Sequence, residues 1–156
     1  MDKNIAKEEF LKIAKENIKR EGIDKLLDYL QKTDFFSAPA STKFHSVYEG
    51  GLCSHSLNVY KRFIANLQKE YGDNWQNVIS LESASLIALF HDICKVDYYT
   101  VEMRNVKENG VWVQKPYYKV EDSLPYGHGE KSAARIRRCV RICPSLVLAC
   151  IDKNTE

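Results

Sequence analysis

The segment from Leu81 to Cys94 constrains this chain more than any other, because the apolar run Leu86 to Phe90 leads directly into His91-Asp92. A helix apolar nearly all round is a buried central helix that other helices must surround. Placing an imidazole and a carboxylate side by side at its end costs on the order of several kcal/mol unless something compensates them. A divalent cation would compensate both. Adjacent helical residues point about 100° apart, so the pair can share an ion only from the wedge between them, with another helix closing the shell. His55, on an earlier helical segment that starts at the Gly50-Gly51 break, is the natural third ligand. As an isolated dipeptide, His-Asp is more often a hydrogen-bonded core pair, so the context has to decide.

The rest of the chain reads as further helices and one hairpin. Ile5, Phe10, Leu11, Ile13, Ala14 and Ile18 recur mostly at three-to-four spacing, which predicts a first helix ending near Glu21-Gly22. A short second helix follows from Ile23 to Leu30, and Ser37 to Ser41 breaks the pattern ahead of an irregular segment holding His45. From Leu52 to about Tyr71 the stripe Leu52, Val59, Phe63, Ile64 and Leu67 predicts a long helix with His55 on its first turns. The period then changes to two: Tyr99, Val101 and Met103 alternate with polar residues, and Lys107 to Gly110 signals a turn before Val111 to Tyr118. This is an inserted β-hairpin over about residues 98–119. A loop with Gly127 and Gly129 feeds a last helix beginning near Glu130.

At 156 residues, with 44% hydrophobic and 28% charged residues, the chain fits one globular domain spanning 1–156. No apolar run approaches a membrane span and Met1 to Arg20 lacks an apolar signal core, so a soluble, cytoplasmic protein with no membrane partner is expected. Five cysteines, none in a CxxC pair, argue against a disulfide framework and read as reduced, small apolar fillers. A net charge of +2 is too small to imply nucleic-acid binding by bulk electrostatics. Its distribution is uneven, since Lys131, Arg135, Arg137, Arg138 and Arg141 occur with no acidic residue between Glu130 and Asp152. That is either a solvated helix face or a field that attracts a phosphate-bearing ligand.

The specific signal lies in the ordered set Phe44-His45, the run Tyr48 to Val59 containing His55, the run Leu89 to Lys95 containing His91-Asp92, and the run Gly127 to Ser132 containing His128. Over about residues 34 to 132 this resembles the HD-domain superfamily of metal-dependent phosphohydrolases, and within it the HD portion of YhaM-type 3′-5′ exoribonucleases and small phage-type relatives. The resemblance implies a mainly α HD-domain helical bundle and a divalent metal (Fe, Mn, Zn, Ni, Co or Mg) held by His55, His91 and Asp92. It implies hydrolysis of a phosphate ester, with a phosphorylated small molecule or a nucleic-acid end as partner. Lys95 matches the lysine that follows the His-Asp pair in the family and reads as catalytic or as a solvated helix-end cation. His128 reads as general acid, phosphate ligand or second-metal ligand, with a plain loop histidine as the alternative. His45, Lys131 and Arg135 are candidate substrate-binding residues. A base-stacking role for Tyr98, Tyr99, Trp112, Tyr117 or Tyr118 competes with packing of the hairpin onto the bundle, which is the stronger expectation.

The family pattern ends with a further aspartate ligand, and here Asp152 is the only aspartate after Asp122. Either Asp152 completes the shell or water or a partner chain fills the position. The Arg- and Cys-rich tail from Arg137 to Cys150, interrupted by Pro144, suggests a C-terminus truncated or frame-altered relative to such relatives. A catalytically degenerate HD-fold module that binds nucleotides or regulates is the competing reading. Association into a homo-oligomer is left open by the sequence.

Overall fold

The computed structural model describes residues 2–42, 47–122 and 126–142, so His45 and Asp152 lie outside the described residues. The first helix, α1 (Lys3–Asn17), is capped by the Asp2 carboxylate, which accepts from the amides of Asn4 and Ile5 at 2.9 and 3.3 Å. Its buried positions Ala6, Phe10 and Ala14 repeat every four residues and form one stripe. The helix stops at Asn17, earlier than the periodicity suggested, because the chain beyond it is bonded elsewhere. The Lys19 amide and the Arg20 guanidinium both donate to Glu82, at 2.8 and 3.1 Å, and Ile18 is extended. Gly22 then turns the chain with φ 93°, and a Cβ there would run into the Cys139 carbonyl.

Helix α2 (Ile23–Gln31) buries Ile23, Leu26, Leu27 and Leu30, the spacing of a single apolar face. A short turn at Asp34–Phe36 follows, bringing Phe35 and Phe36 against Phe10, with ring centroids at 5.1 and 5.7 Å; Phe90 adds a third contact at 5.4 Å. Helix α3 (Gly51–Tyr71) begins after Gly50, whose φ of 79° needs a glycine. The start of α3 is anchored by the Gly50 and Leu52 amides donating to the Ser37 and Ala38 carbonyls, both at 2.9 Å. Its first two turns are therefore buried almost all round, at Gly51 to Ser54, Ser56 and Leu57, while the later stripe residues are half-buried.

Helix α4 (Leu81–Phe90), capped by Ser80, is the central element: every residue from Ala84 to Phe90 is buried, and it packs on α3 and α1. It is shorter than the apolar pattern suggested. Asp92 leaves helical geometry at φ −106° and ψ 17°, and a separate 3-10 turn occupies Ile93–Lys95. The strands β1 (Tyr99–Glu108) and β2 (Val111–Val120) pair antiparallel from Tyr99↔Val120 to Glu108↔Val111. Asn109 and Gly110 close the turn with φ 49° and 84°, the positive pair that a two-residue hairpin loop requires. Helix α5 (His128–Arg137) completes the described fold and packs against the Ile93–Lys95 turn.

The chain is thus mainly helical with a small two-stranded antiparallel sheet. The expected packing of the hairpin onto the bundle is confined to its base, where Tyr99 lies against the core: Trp112, Val111 and Val101 are 68%, 64% and 61% exposed, and the other half-buried strand positions are Tyr118 and the cross-strand pair Val106 and Val113 near the turn. The ribbon is held together by its own ladder and cross-strand pairs such as Lys115 with Glu108 and Arg104 over Tyr117. No helix among the described residues is long and apolar enough to cross a membrane.

Candidate metal centre

The end of α4 and the second turn of α3 bring His55, His91 and Asp92 together. His91 Nδ1 lies 2.9 Å from the Ala88 carbonyl, which can only accept, so Nδ1 carries the proton. In the neutral ring this leaves a bare lone pair on Nε2. That atom lies 3.2 Å from His55 Nε2 and 3.4 Å from Asp92 Oδ2, and His55 Nε2 is 3.5 Å from the same oxygen. A point equidistant from three atoms with these separations lies about 2 Å from each, the bond length of zinc or a similar divalent ion to imidazole nitrogen. Two ring nitrogens this close need a proton or a cation between them. The three residues fit a shared metal ion, and the bond at Nδ1 supplies the outer contact that orients such a ligand.

The departure of Asp92 from helical geometry is what makes the cluster possible, since it frees the carboxylate from the fixed 100° step of the helix. Burial works against a charge there, but in the ion-free site His91 in its cationic form, donating from Nε2 and carrying a charge, and the Lys95 ammonium outweigh it and hold the Asp92 carboxyl well below the usual carboxylate range. Lys95 Nζ donates to Asp92 Oδ2 at 2.9 Å and to the Ala40 carbonyl at 2.8 Å. Tyr99, the first residue of β1, donates its hydroxyl to the same carbonyl at 2.9 Å. Burial first, and then the Asp92 charge, push that hydroxyl above its ordinary pKa, so it stays a donor.

Helix α5 closes the other side. Its first residue, His128, places Nδ1 3.2 Å from Cys94 Sγ. Ser132, one turn on, donates its hydroxyl to the His91 carbonyl at 2.6 Å and accepts from the Cys94 amide at 3.2 Å, clamping both sides of Asp92. His128 and Lys95 line one cavity of about 270 Å³ together with Ser41, Thr42, Tyr98 and Tyr99. Lys131 and Arg135, read from the sequence as substrate-binding, line a different cavity and already have partners. Lys131 is ion-paired with Asp122 at 2.7 Å, and Arg135 donates to the Tyr29 hydroxyl at 2.8 Å and the Val96 carbonyl at 3.2 Å.

Three participants escaped the sequence reading. Cys94 had been counted among the apolar fillers, yet its thiol faces His128; its place two residues after Asp92 was the available signal. Ser132 stood within the Gly127 to Ser132 run without a role. The Ala40 carbonyl, as a backbone group, carries no sequence signal at all. No protein-family model, curated protein or solved structure matches the chain.

Proposed function

We propose that this chain is an HD-domain metal-dependent phosphohydrolase acting on a nucleotide or nucleic-acid phosphoester. The observation that carries the reading is the convergence of His55 Nε2, His91 Nε2 and Asp92 Oδ2 within 3.5 Å of one another, from two helices, beside a cationic cavity. His55, His91 and Asp92 would hold the ion, and Fe, Mn, Zn, Ni, Co and Mg all suit or tolerate imidazole and carboxylate donors. A divalent ion held there would supply Lewis-acid chemistry, lowering the pKa of a coordinated water and polarising a phosphoryl oxygen. Lys95 supplies positive charge where Asp92 meets the cavity, suited to a phosphate oxygen. His128, with Nδ1 turned to Cys94, retains Nε2 to donate a proton to a leaving oxygen or to bind phosphate.

The test is release of phosphate or nucleotide from a panel of nucleotides and short oligonucleotides, with each divalent ion in turn. Wild type turns over with at least one ion, while Asp92→Ala, shown folded by circular dichroism, loses activity by 100-fold or more, roughly the scale of a lost catalytic group. Equal rates in the two proteins, or no turnover with any ion, overturn the reading.

One observation favours a second reading. The Lys95 ammonium already neutralises Asp92, as it would in a catalytically degenerate, nucleotide-binding HD module. Nucleotide binding in chelator that His128→Ala abolishes, with no turnover with any ion, would select that alternative.

A further inference from the structure

A cavity of about 540 Å³ lies on the other face of α5 from the one that meets the core. Core-facing positions on this helix are Ser132, Ala133 and Ile136, whereas Lys131, Ala134, Arg135 and Arg138 fall at i, i+3, i+4 and i+7 and form one wall. Its size falls within the range of small-molecule sites, roughly 300–1,000 Å³. Tyr29 and Tyr126 contribute aromatic surface to the same space, and Asp97 and Glu130 contribute carboxylates.

The charges are not equally committed. Lys131 is neutralised by Asp122. Arg135 bonds two neutral acceptors, Tyr29 Oη and the Val96 carbonyl, so hydrogen bonding fixes its direction, and the Asp34 carboxylate feels its charge without a hydrogen bond to it. The Arg138 guanidinium has no partner among the described residues and is exposed. Arg135 and Arg138 are three apart, one turn on the same face, a spacing at which two guanidinium groups can grip one phosphate. The tyrosines offer a surface for a planar ring, and the two carboxylates can accept from hydroxyls of a sugar.

We propose that this cavity is a second ligand site, which takes a phosphorylated, ring-bearing small molecule of mononucleotide size, with Arg138 and Arg135 on the phosphate and Tyr29 and Tyr126 against the ring. It is independent of the metal reading, since none of its residues belongs to the His55, His91 and Asp92 cluster or to the cavity of Lys95 and His128.

Calorimetric titration of the full chain in chelator, with each of the four ribonucleoside 5′-monophosphates and with ribose 5-phosphate, tests it. At least one nucleotide binds at one per chain and more tightly than ribose 5-phosphate. Arg138→Ala, an exposed change that leaves the fold intact, weakens it by roughly tenfold, the scale of a lost charge-assisted contact. Arg138→Lys weakens it less, and His128→Ala leaves it unchanged. The proposal is overturned if no nucleotide binds at millimolar concentration, if ribose 5-phosphate binds as tightly, if Arg138→Ala binds like wild type, or if His128→Ala abolishes binding. Because metal is excluded throughout, these outcomes are separate from the fate of the hydrolase reading.

Discussion

Replacing Ser132 by alanine removes two buried hydrogen bonds for the loss of one oxygen. The Ser132 side chain is fully buried, donates to the His91 carbonyl at 2.6 Å and accepts from the Cys94 amide at 3.2 Å. Leaving a buried carbonyl and amide unpaired costs about 1–3 kcal/mol each, so a loss of about 2–6 kcal/mol is expected. For a chain of this length that is a fall in Tm of about 4–24 °C. Ser56 is the internal control, because its hydroxyl is also fully buried but has no hydrogen-bond partner. Ser56→Ala removes a desolvated group and improves helix propensity inside α3, so it is neutral or stabilising by up to about 1 kcal/mol. Urea unfolding followed by tryptophan fluorescence suits both variants, since Trp75 is buried. If Ser132→Ala costs no more than Ser56→Ala, the clamp between α5 and the His91–Cys94 corner does not hold the fold as described.

Three further outcomes follow from the same geometry. In chelator, Asp92 contributes stability above its unfolded pKa of 3.8 that is lost as the pH falls toward its lower folded value, so Asp92→Asn should lower stability at neutral pH and flatten the acid limb of the pH profile; parallel acid limbs would refute this. Burial, followed by the Glu9 charge, pushes the Cys53 thiol up to about 12, whereas Cys139 is partly exposed. Iodoacetamide on the folded protein at pH 8 should therefore modify Cys139 well before Cys53, and equal labelling rates in a peptide map would contradict that. Trp112→Thr on the projecting hairpin should change stability by less than about 0.5 kcal/mol, and a loss above about 1.5 kcal/mol would mean that the ribbon packs after all.

The strongest sequence signals concerned burial and turns, and those elements are where they were expected. The apolar run ending at Phe90 made α4 central, and Gly50-Gly51 marked the start of α3 with His55 on its second turn. The hairpin followed from the change of period and from Asn109-Gly110. What periodicity could not supply were tertiary bonds that end helices early. Glu82 takes the Lys19 amide and stops α1 near Asn17, and the break at Asp92 divides what reads as one helix. Alternation in the hairpin likewise predicted two faces but not whether anything covers them, since a half-buried strand and a projecting ribbon share one pattern. At the site, His55, His91, Asp92 and Lys95 were legible as residue types in order. Cys94 and Ser132 act through partners that only the docking of α5 brings near.

Metal binding by the intact chain tests the central claim most directly. Protein stripped by chelator and titrated with manganese, zinc, iron, cobalt and nickel should take up at least one of them at one ion per chain. An anomalous-scattering map of crystals grown with that ion should show a peak within bonding distance of His55 Nε2, His91 Nε2 and Asp92 Oδ2. His91→Ala and Asp92→Ala should each lose most of the affinity. Uptake of none of these ions by wild type, or uptake that both variants retain in full, would contradict the account.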